Sequence, residues 1–165
     1  MKRRMIISLL CVLTAILQTT LVSYIQIASI RPNLAVILTA SFALMCGRIT
    51  GMTVGFFTGI LLDFFGGGII GFYALIYMVI GYCAGYTYRI FYDDDIKTPL
   101  LLIGICDLAY GICQYVTTFL IRGRINVFFY LKRIIIPEMI YTAIFAVFLY
   151  QLNYYINRKT RGTYY

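Results

Sequence analysis

The sequence predicts an all-α protein, a polytopic bundle of transmembrane helices, and three observations lead to this prediction. Of the 165 residues, 62% are hydrophobic and only 12% are charged, whereas about a quarter of an ordinary soluble domain is charged. The mean hydropathy is +0.88. The apolar residues form long runs, and no polar stretch is long enough to fold as a separate soluble domain. We therefore expect one integral membrane domain over residues 1–165.

Six nearly uncharged runs define the predicted spans, at about residues 5–25, 33–47, 50–65, 69–88, 99–121 and 134–152. Four have roughly the 20 residues that a helix needs to cross the hydrocarbon core. The second and third are short, and one helix through both would reach about 50 Å with Arg48 in its middle. We expect a hairpin broken at residues 47–50, either as two short spans or as a re-entrant pair.

Basic residues indicate the orientation, because cytoplasmic loops collect Lys and Arg. With six crossings and both termini in the cytoplasm, the basic residues divide nine to five in favour of the cytoplasmic side. The cytoplasmic group is Lys2, Arg3, Arg4, Arg48, Arg89, Lys97, Arg158, Lys159 and Arg161, and the outer group is Arg31, Arg122, Arg124, Lys132 and Arg133. A five-crossing arrangement gives about seven to six, so the rule favours six crossings.

The composition argues against catalysis and against a bound cofactor or metal. The chain has no histidine, which excludes a Ser/His/Asp triad, a Cys/His dyad and any metal site that needs imidazole. The five cysteines show no CxxC spacing. Fourteen Lys and Arg against six Asp and Glu give a net charge of +8, which in so apolar a chain indicates orientation in the bilayer rather than nucleic-acid binding.

Glycines recur every four residues from the hairpin break into the third span, at Gly47, Gly51, Gly55 and Gly59. Gly81 and Gly85 repeat this spacing in the fourth span. Residues four apart share one helix face, and small residues there let another helix approach backbone to backbone. The stripe therefore predicts helix packing, either against a neighbouring span of the same chain or against a partner protein.

Asp63 follows the stripe at the same interval, near the outer end of the third span. A carboxylate at that depth is costly unless it is paired or wet, which makes Asp63 a candidate functional residue. The architectural alternative is that it accepts hydrogen bonds from the amides of the following glycine-rich turn or pairs with Arg31.

A polar stripe marks the fifth span, where Gly111, Gln114 and Thr118 follow Asp107 at helical spacing. The stripe must face protein or a water-filled cavity, so it predicts an interhelical hydrogen-bond seam or the wall of a small pocket. Glu138 follows Pro137 at the start of the sixth span, where a negative side chain favours a helix N-terminus. The basic and aromatic segment from Arg122 to Arg133 is expected in the outer membrane interface.

Several short motifs resemble the family of rod shape-determining proteins called MreD. They are Arg31-Pro32-Asn33-Leu34, the G-F-F-x-G-x-x-x-D stretch at 55–63, G-F-Y-A-L at 71–75, and the glycines around both. The resemblance covers roughly residues 18–85. The family residues that this sequence matches are Pro32, Gly55, Phe56, Gly59, Asp63, Gly71 and Tyr73. The chain departs from the usual pattern at Asn33, where an aspartate commonly follows the proline.

The resemblance implies a non-catalytic multi-pass protein of the bacterial inner membrane that acts in cell elongation. It implies packing with MreC, and through the complex a link to MreB and to the glycosyltransferase and transpeptidase that build the lateral wall. It also implies a fold similar to the substrate-binding subunits of energy-coupling factor transporters. The alternative function is therefore a small-molecule-binding subunit of such a transporter, with a pocket at Asp63, Asp107 and Gln114. Whether the protein forms a homo-oligomer is left open.

Overall fold

A computed structural model describes residues 2–20, 32–66, 70–89, 97–117 and 135–161, and every element in these ranges is helical. The elements are α1 (Lys2–Thr19), α2 (Leu34–Cys46), α3 (Arg48–Gly66), α4 (Phe72–Ala84) with a 3-10 turn at Gly85–Arg89, α5 (Lys97–Tyr115) and α6 (Ile136–Arg161). The all-α prediction is confirmed for the described residues. The segment from Arg122 to Arg133 and Thr118 lie outside them.

Three helices are long and apolar enough to cross a membrane, namely Arg48–Gly66, Lys97–Tyr115 and Ile136–Ile156. Met5–Thr19 and Leu34–Cys46 are shorter apolar helices. The predicted fourth span is not one continuous α-helix. Helix α4 ends at Ala84, and the chain then forms the 3-10 turn at Gly85–Arg89. The last helix extends past the predicted end at residue 152, to Arg161. The protein is thus a membrane protein of six α-helices in the described ranges, while six full crossings remain a prediction.

Helix α2 is the centre of the bundle. All its residues from Leu34 to Met45 are buried, and it packs against each of the other five helices. A helix that is apolar on all sides suits either a protein core or the lipid of a membrane, and here the other helices surround it. At 13 residues it is about 20 Å long, as predicted for the second span. The prediction that the third span is also short is wrong, because α3 starts directly after Gly47 and runs for 19 residues, which is long enough to cross a membrane.

Gly47 breaks the chain between α2 and α3, as the sequence predicts for the hairpin. Its φ of +89° and ψ of 180° lie in a region that is essentially restricted to glycine. Its N–H closes α2 on the Ala43 carbonyl at 2.9 Å. Helix α3 then returns antiparallel to α2, with Gly51 beside Ala43 and Gly55 beside Thr39.

The opposite end of α2 is fixed by side chains from α1 and from Asn33. The Gln18 amide donates to the Pro32 carbonyl at 3.2 Å, and its oxygen accepts the Leu34 N–H at 2.8 Å. Asn33 caps α2 by accepting the Val36 N–H at 3.2 Å. We call this the Asn33 end of the bundle and the side with the Gly47 break the Arg48 end.

Candidate functional site

The glycine stripe of α3 faces α4. A side chain on Gly55 would meet the Tyr77 carbonyl, and one on Gly59 would meet the backbone of Ala74. A Cβ on Gly51 would lie 2.5 Å from the Ala43 Cβ and 2.7 Å from the Gly81 carbonyl oxygen. Helices α3 and α4 are therefore in backbone contact along their length, and α2 lies against the same seam.

The remaining stripe glycines lie at the Arg48 end. Gly81 packs against the Gly51 carbonyl, and Gly85 packs against the backbone of Arg48. Gly47 lies beside the Tyr88 ring, with an added Cβ 3.7 Å from that ring. Of the two alternatives for the stripe, packing within the chain accounts for these contacts, because α4 occupies the face that a partner helix would need.

Asp63 caps α4 from the neighbouring helix. Its carboxylate is 2% exposed and accepts three backbone N–H groups, from Gly71 at 2.9 Å, Tyr73 at 3.1 Å and Ala74 at 3.2 Å. The first amides of a helix have no partner within it, and a carboxylate also favours its positive end. This geometry agrees with the architectural alternative, in which Asp63 accepts hydrogen bonds from amides that follow it in the chain. The other partner named in that alternative, Arg31, lies outside the described residues.

A buried polar cluster occupies the Asn33 end, where α2, α4, α5 and α6 meet. The Tyr77 hydroxyl donates to Asn33 Oδ1 at 3.0 Å, and the Asn33 N–H donates to the Thr142 hydroxyl at 3.1 Å. Tyr110 also forms a hydrogen bond with Tyr77. Since Tyr77 uses its proton on Asn33, Tyr110 is the donor in that bond.

Three tyrosine rings stack across α4 and α5 beside this cluster. Tyr77 and Tyr110 are nearly parallel, with centroids 5.3 Å apart and an angle of 13° between their planes. Tyr73 lies at 6.4 Å from each of them. The Tyr73 N–H is bound by Asp63, so the stack connects the α3–α4 junction to α5.

Asp107 is 3% exposed and lies within hydrogen-bonding reach of the Thr142 hydroxyl on α6. This contact joins α5 to α6 at one residue of the polar stripe, and the choice between a hydrogen-bond seam and a pocket wall for the whole stripe stays a prediction. Gly111 faces Ile135 at the start of α6, with an added Cβ 3.3 Å from Ile135 Cγ1. Gln114 is half-buried, two turns beyond Asp107.

Glu138 lies in the first turn of α6, as predicted, and is half-buried. Its carboxylate is close enough to Asp107 for the two negative charges to interact. Asp107 and Glu138 thus lie on two contacting helices, α5 and α6, within range of each other's charge. Asp63 instead directs its carboxylate to the start of α4, so the pocket predicted at Asp63, Asp107 and Gln114 remains a prediction.

Sequence reasoning did not select Tyr77, Tyr110 or Thr142, and it noted Asn33 only as a departure from a pattern. Helical spacing offered a signal, because Thr142 is four residues after Glu138 and Tyr110 three after Asp107. These pairs place hydroxyls on the faces that bear the two carboxylates.

The structure shows where three further residues of the family motif lie. Pro32 is fully buried, and Gly71 has a positive φ of +97° immediately before α4. Phe56 is 40% exposed on α3, on a face away from the glycine seam. The motif therefore surrounds the α3–α4 junction and its contact with α2.

Fold and site together define a multi-pass α-helical membrane protein whose buried polar groups join helices to one another. The sequence model of a family described as rod shape-determining protein MreD matches residues 1–159, and the chain belongs to this family. It therefore has a role in determining rod shape. No curated protein and no solved structure matches the chain, so the similarity to energy-coupling factor subunits stays a prediction.

Proposed function

We propose that this chain is a non-catalytic subunit of the bacterial rod-shape complex that packs with MreC in the inner membrane and supports lateral-wall peptidoglycan synthesis. Both termini are cytoplasmic in this proposal. The observation that supports it is the family match over residues 1–159. MreB, the glycosyltransferase and the transpeptidase then join through the complex.

The surface that we assign to MreC is a groove between α1 and α3. It has a volume of about 650 Å³ and is lined by side chains from both helices, including Val12, Thr53 and Phe57. Phe57 is 60% exposed. Because α4 covers the glycine stripe, we place the membrane span of MreC here rather than on the stripe.

Polar atoms favour this groove over a second apolar groove of the described residues. Ser8, Thr50 and Thr53 contribute hydroxyls to its lining, and such small polar side chains are enriched where transmembrane helices associate. The second groove lies between α4 and α5, has a volume of about 340 Å³, and is lined by aliphatic side chains and cysteines such as Val79, Ile105 and Cys83. Lipid chains satisfy a surface of that kind.

Affinity purification tests the function. The protein is tagged at its C-terminus, extracted from native membranes in mild detergent, and its partners are identified by mass spectrometry. We expect MreC together with the wall-elongation enzymes. Recovery of transporter ATPases and a membrane coupling subunit in place of MreC would reject the proposal and support the solute-binding alternative.

A matched pair of variants tests the docking surface. Val12 and Val79 are 40% and 49% exposed, and they line the two different grooves. We expect Val12→Trp to reduce MreC recovery at least fivefold and Val79→Trp to leave it unchanged, with both proteins inserted at wild-type levels. The reverse pattern would place MreC on the α4–α5 groove. Wild-type recovery of MreC from both variants would exclude both grooves as its main contact.

A further inference from the structure

The α4–α5 groove is open to the outer surface of the bundle and has a buried floor. Ile76 and Ile80 are buried in this floor, whereas Leu75, Val79 and Ile105 are exposed at the rim. Within a membrane, such a groove is filled either by another helix or by a lipid chain. Its volume of about 340 Å³ is about half that of the α1–α3 groove, and its lining offers no hydroxyl to a partner helix. A single lipid chain is therefore the better occupant.

The length of the groove matches one leaflet of a bilayer. Its lining on α4 runs from Leu75 to Ala84, which is about 14 Å along a helix. Half of a hydrocarbon core of about 30 Å is about 15 Å. Ala84 is at the Arg48 end of the bundle, since the next residue, Gly85, packs against the backbone of Arg48. An acyl chain with its headgroup at the Arg48 end thus fills the groove without entering the other leaflet.

A cation lies where the groove reaches the Arg48 end. Tyr86 continues the α4 wall of the groove, because it follows Val79 by seven residues and Cys83 by three. The guanidinium carbon of Arg48 is 4.2 Å from the centroid of the Tyr86 ring, and both side chains are exposed. Contact with a ring face uses none of the N–H donors of a guanidinium. These donors and the Tyr86 hydroxyl can therefore bind a phosphate group.

The charge of the Arg48 end favours an anionic lipid. Nine basic residues lie on helices and turns that begin or end there, at 2–4, 48, 89, 97 and 158–161. Even with all three aspartates at 93–95 on the same side, this end has a net charge of +6. Basic residues at a membrane surface attract anionic headgroups.

We propose that this chain binds one anionic phospholipid, with an acyl chain in the α4–α5 groove and its phosphate on the Arg48 guanidinium and the Tyr86 hydroxyl. The chain then fills the space between α4 and α5, and the headgroup joins α4 to the start of α3. This site is separate from the α1–α3 groove that we assign to MreC, so both can be occupied at the same time.

Native mass spectrometry of the purified protein tests the lipid site. The protein is delipidated in detergent and titrated with phosphatidylglycerol, which is anionic, or with phosphatidylethanolamine, which is zwitterionic and carries the same acyl chains. We expect one phosphatidylglycerol to stay bound per chain at concentrations where phosphatidylethanolamine does not. Equal retention of the two lipids would overturn the proposal.

Two matched substitutions distinguish a headgroup site from general attraction to a basic surface. We expect Arg48→Gln to reduce retained phosphatidylglycerol about fivefold, the effect of one basic residue at an anionic surface. Arg158→Gln makes the same chemical change at the same end of the bundle, but on α6, which does not line the groove. It should leave retention unchanged. An equal loss from both variants would mean that only the total charge matters, and it would reject the site.

A further pair of variants tests the groove. Val79→Trp should fill it and remove the bound phosphatidylglycerol, whereas Val12→Trp in the α1–α3 groove should retain the lipid. Recovery of MreC is expected to respond in the opposite way, so failure of the lipid site and failure of the MreC proposal give different results. Full retention of phosphatidylglycerol by Val79→Trp would refute the groove as its site. Should Arg48→Gln fail to fold, this pair and the lipid selectivity of the unchanged protein still decide the question.

Discussion

The hydroxyl of Tyr77 donates a hydrogen bond of 3.0 Å to Asn33 Oδ1, and the same oxygen accepts the Val36 N–H that begins α2. A side chain from α4 thus takes part in capping α2. Both residues are buried, at 1% and 2% exposure. The centre of the bundle and its glycine-packed neighbour are joined by this bond as well as by backbone contact.

Removing the Tyr77 hydroxyl should weaken this junction without abolishing the fold. Tyr77→Phe keeps the ring stack and leaves Asn33 Oδ1 with the Val36 amide, but it also removes the acceptor of the Tyr110 hydroxyl, so we expect a loss of about 2 kcal/mol in unfolding free energy. The measurement is reversible unfolding in mixed detergent. Tyr82→Phe, at an exposed position of α4, is the control and should have no effect beyond error. A loss as large in the control would show that the hydrogen bond is not the cause.

The cap provided by Asp63 predicts a local effect at the start of α4. Asp63→Ala removes the acceptor of three N–H groups, of which that of Ala74 is buried and those of Gly71 and Tyr73 are part-buried, and we expect a loss of about 2 kcal/mol. Asp63→Asn keeps one acceptor oxygen and should lose about half as much. Hydrogen exchange checks the location, because the amides of Gly71, Tyr73 and Ala74 should exchange faster in both variants. Unchanged exchange at these amides would contradict the cap.

Alanine substitutions at two glycines distinguish the effect of close helix packing from the effect of helix propensity. A methyl group on Gly55 would collide with the Tyr77 carbonyl, whereas one on Gly104 would meet only Met139 Cγ at 3.9 Å. We expect Gly55→Ala to cost about 3 kcal/mol and Gly104→Ala to be neutral or stabilising by up to about 1 kcal/mol. Unfolding free energies of the two variants check this, and equal values would contradict the seam. Since Gly55 variants disturb the fold itself, loss of MreC from them would not identify a docking surface.

The break at Gly47 should tolerate no side chain. Its φ and ψ values are essentially unavailable to other residues, so we expect Gly47→Ala to cost about 1–3 kcal/mol. Gly66→Ala is the matched control, because it ends α3 with nothing within 4 Å of an added Cβ. Thermal unfolding should show a lower midpoint for the first variant only. A midpoint equal to that of the control would mean that the hairpin adopts another conformation.

Much of the fold could be predicted from hydropathy and glycine spacing. The helix pattern and the hairpin break at Gly47 follow from local sequence, because a span of fixed thickness limits helix length. The central position of α2 does not follow from it. In a membrane, an apolar helix facing lipid and one facing protein have the same composition, so burial of Leu34–Met45 could only be seen in the structure.

The candidate site was predicted in part, for a related reason. Asp63, Asp107 and Glu138 stand out because charged residues are rare in apolar segments. Their partners do not, since tyrosine and threonine are ordinary in such helices. Asn33 reaches Tyr77 across 44 residues and Thr142 across 109, and no local spacing relates positions so far apart.

The length of α2 has a consequence for the lipid around the protein. A helix of about 20 Å cannot traverse a hydrocarbon layer of about 30 Å, so at least one of its ends lies below the headgroups, where water is scarce. Helix ends expose backbone groups that water would otherwise satisfy. Gln18 takes the place of that solvent for the chain entering α2. The start of α2 therefore has protein partners for its backbone groups and does not depend on water, at whatever depth it lies.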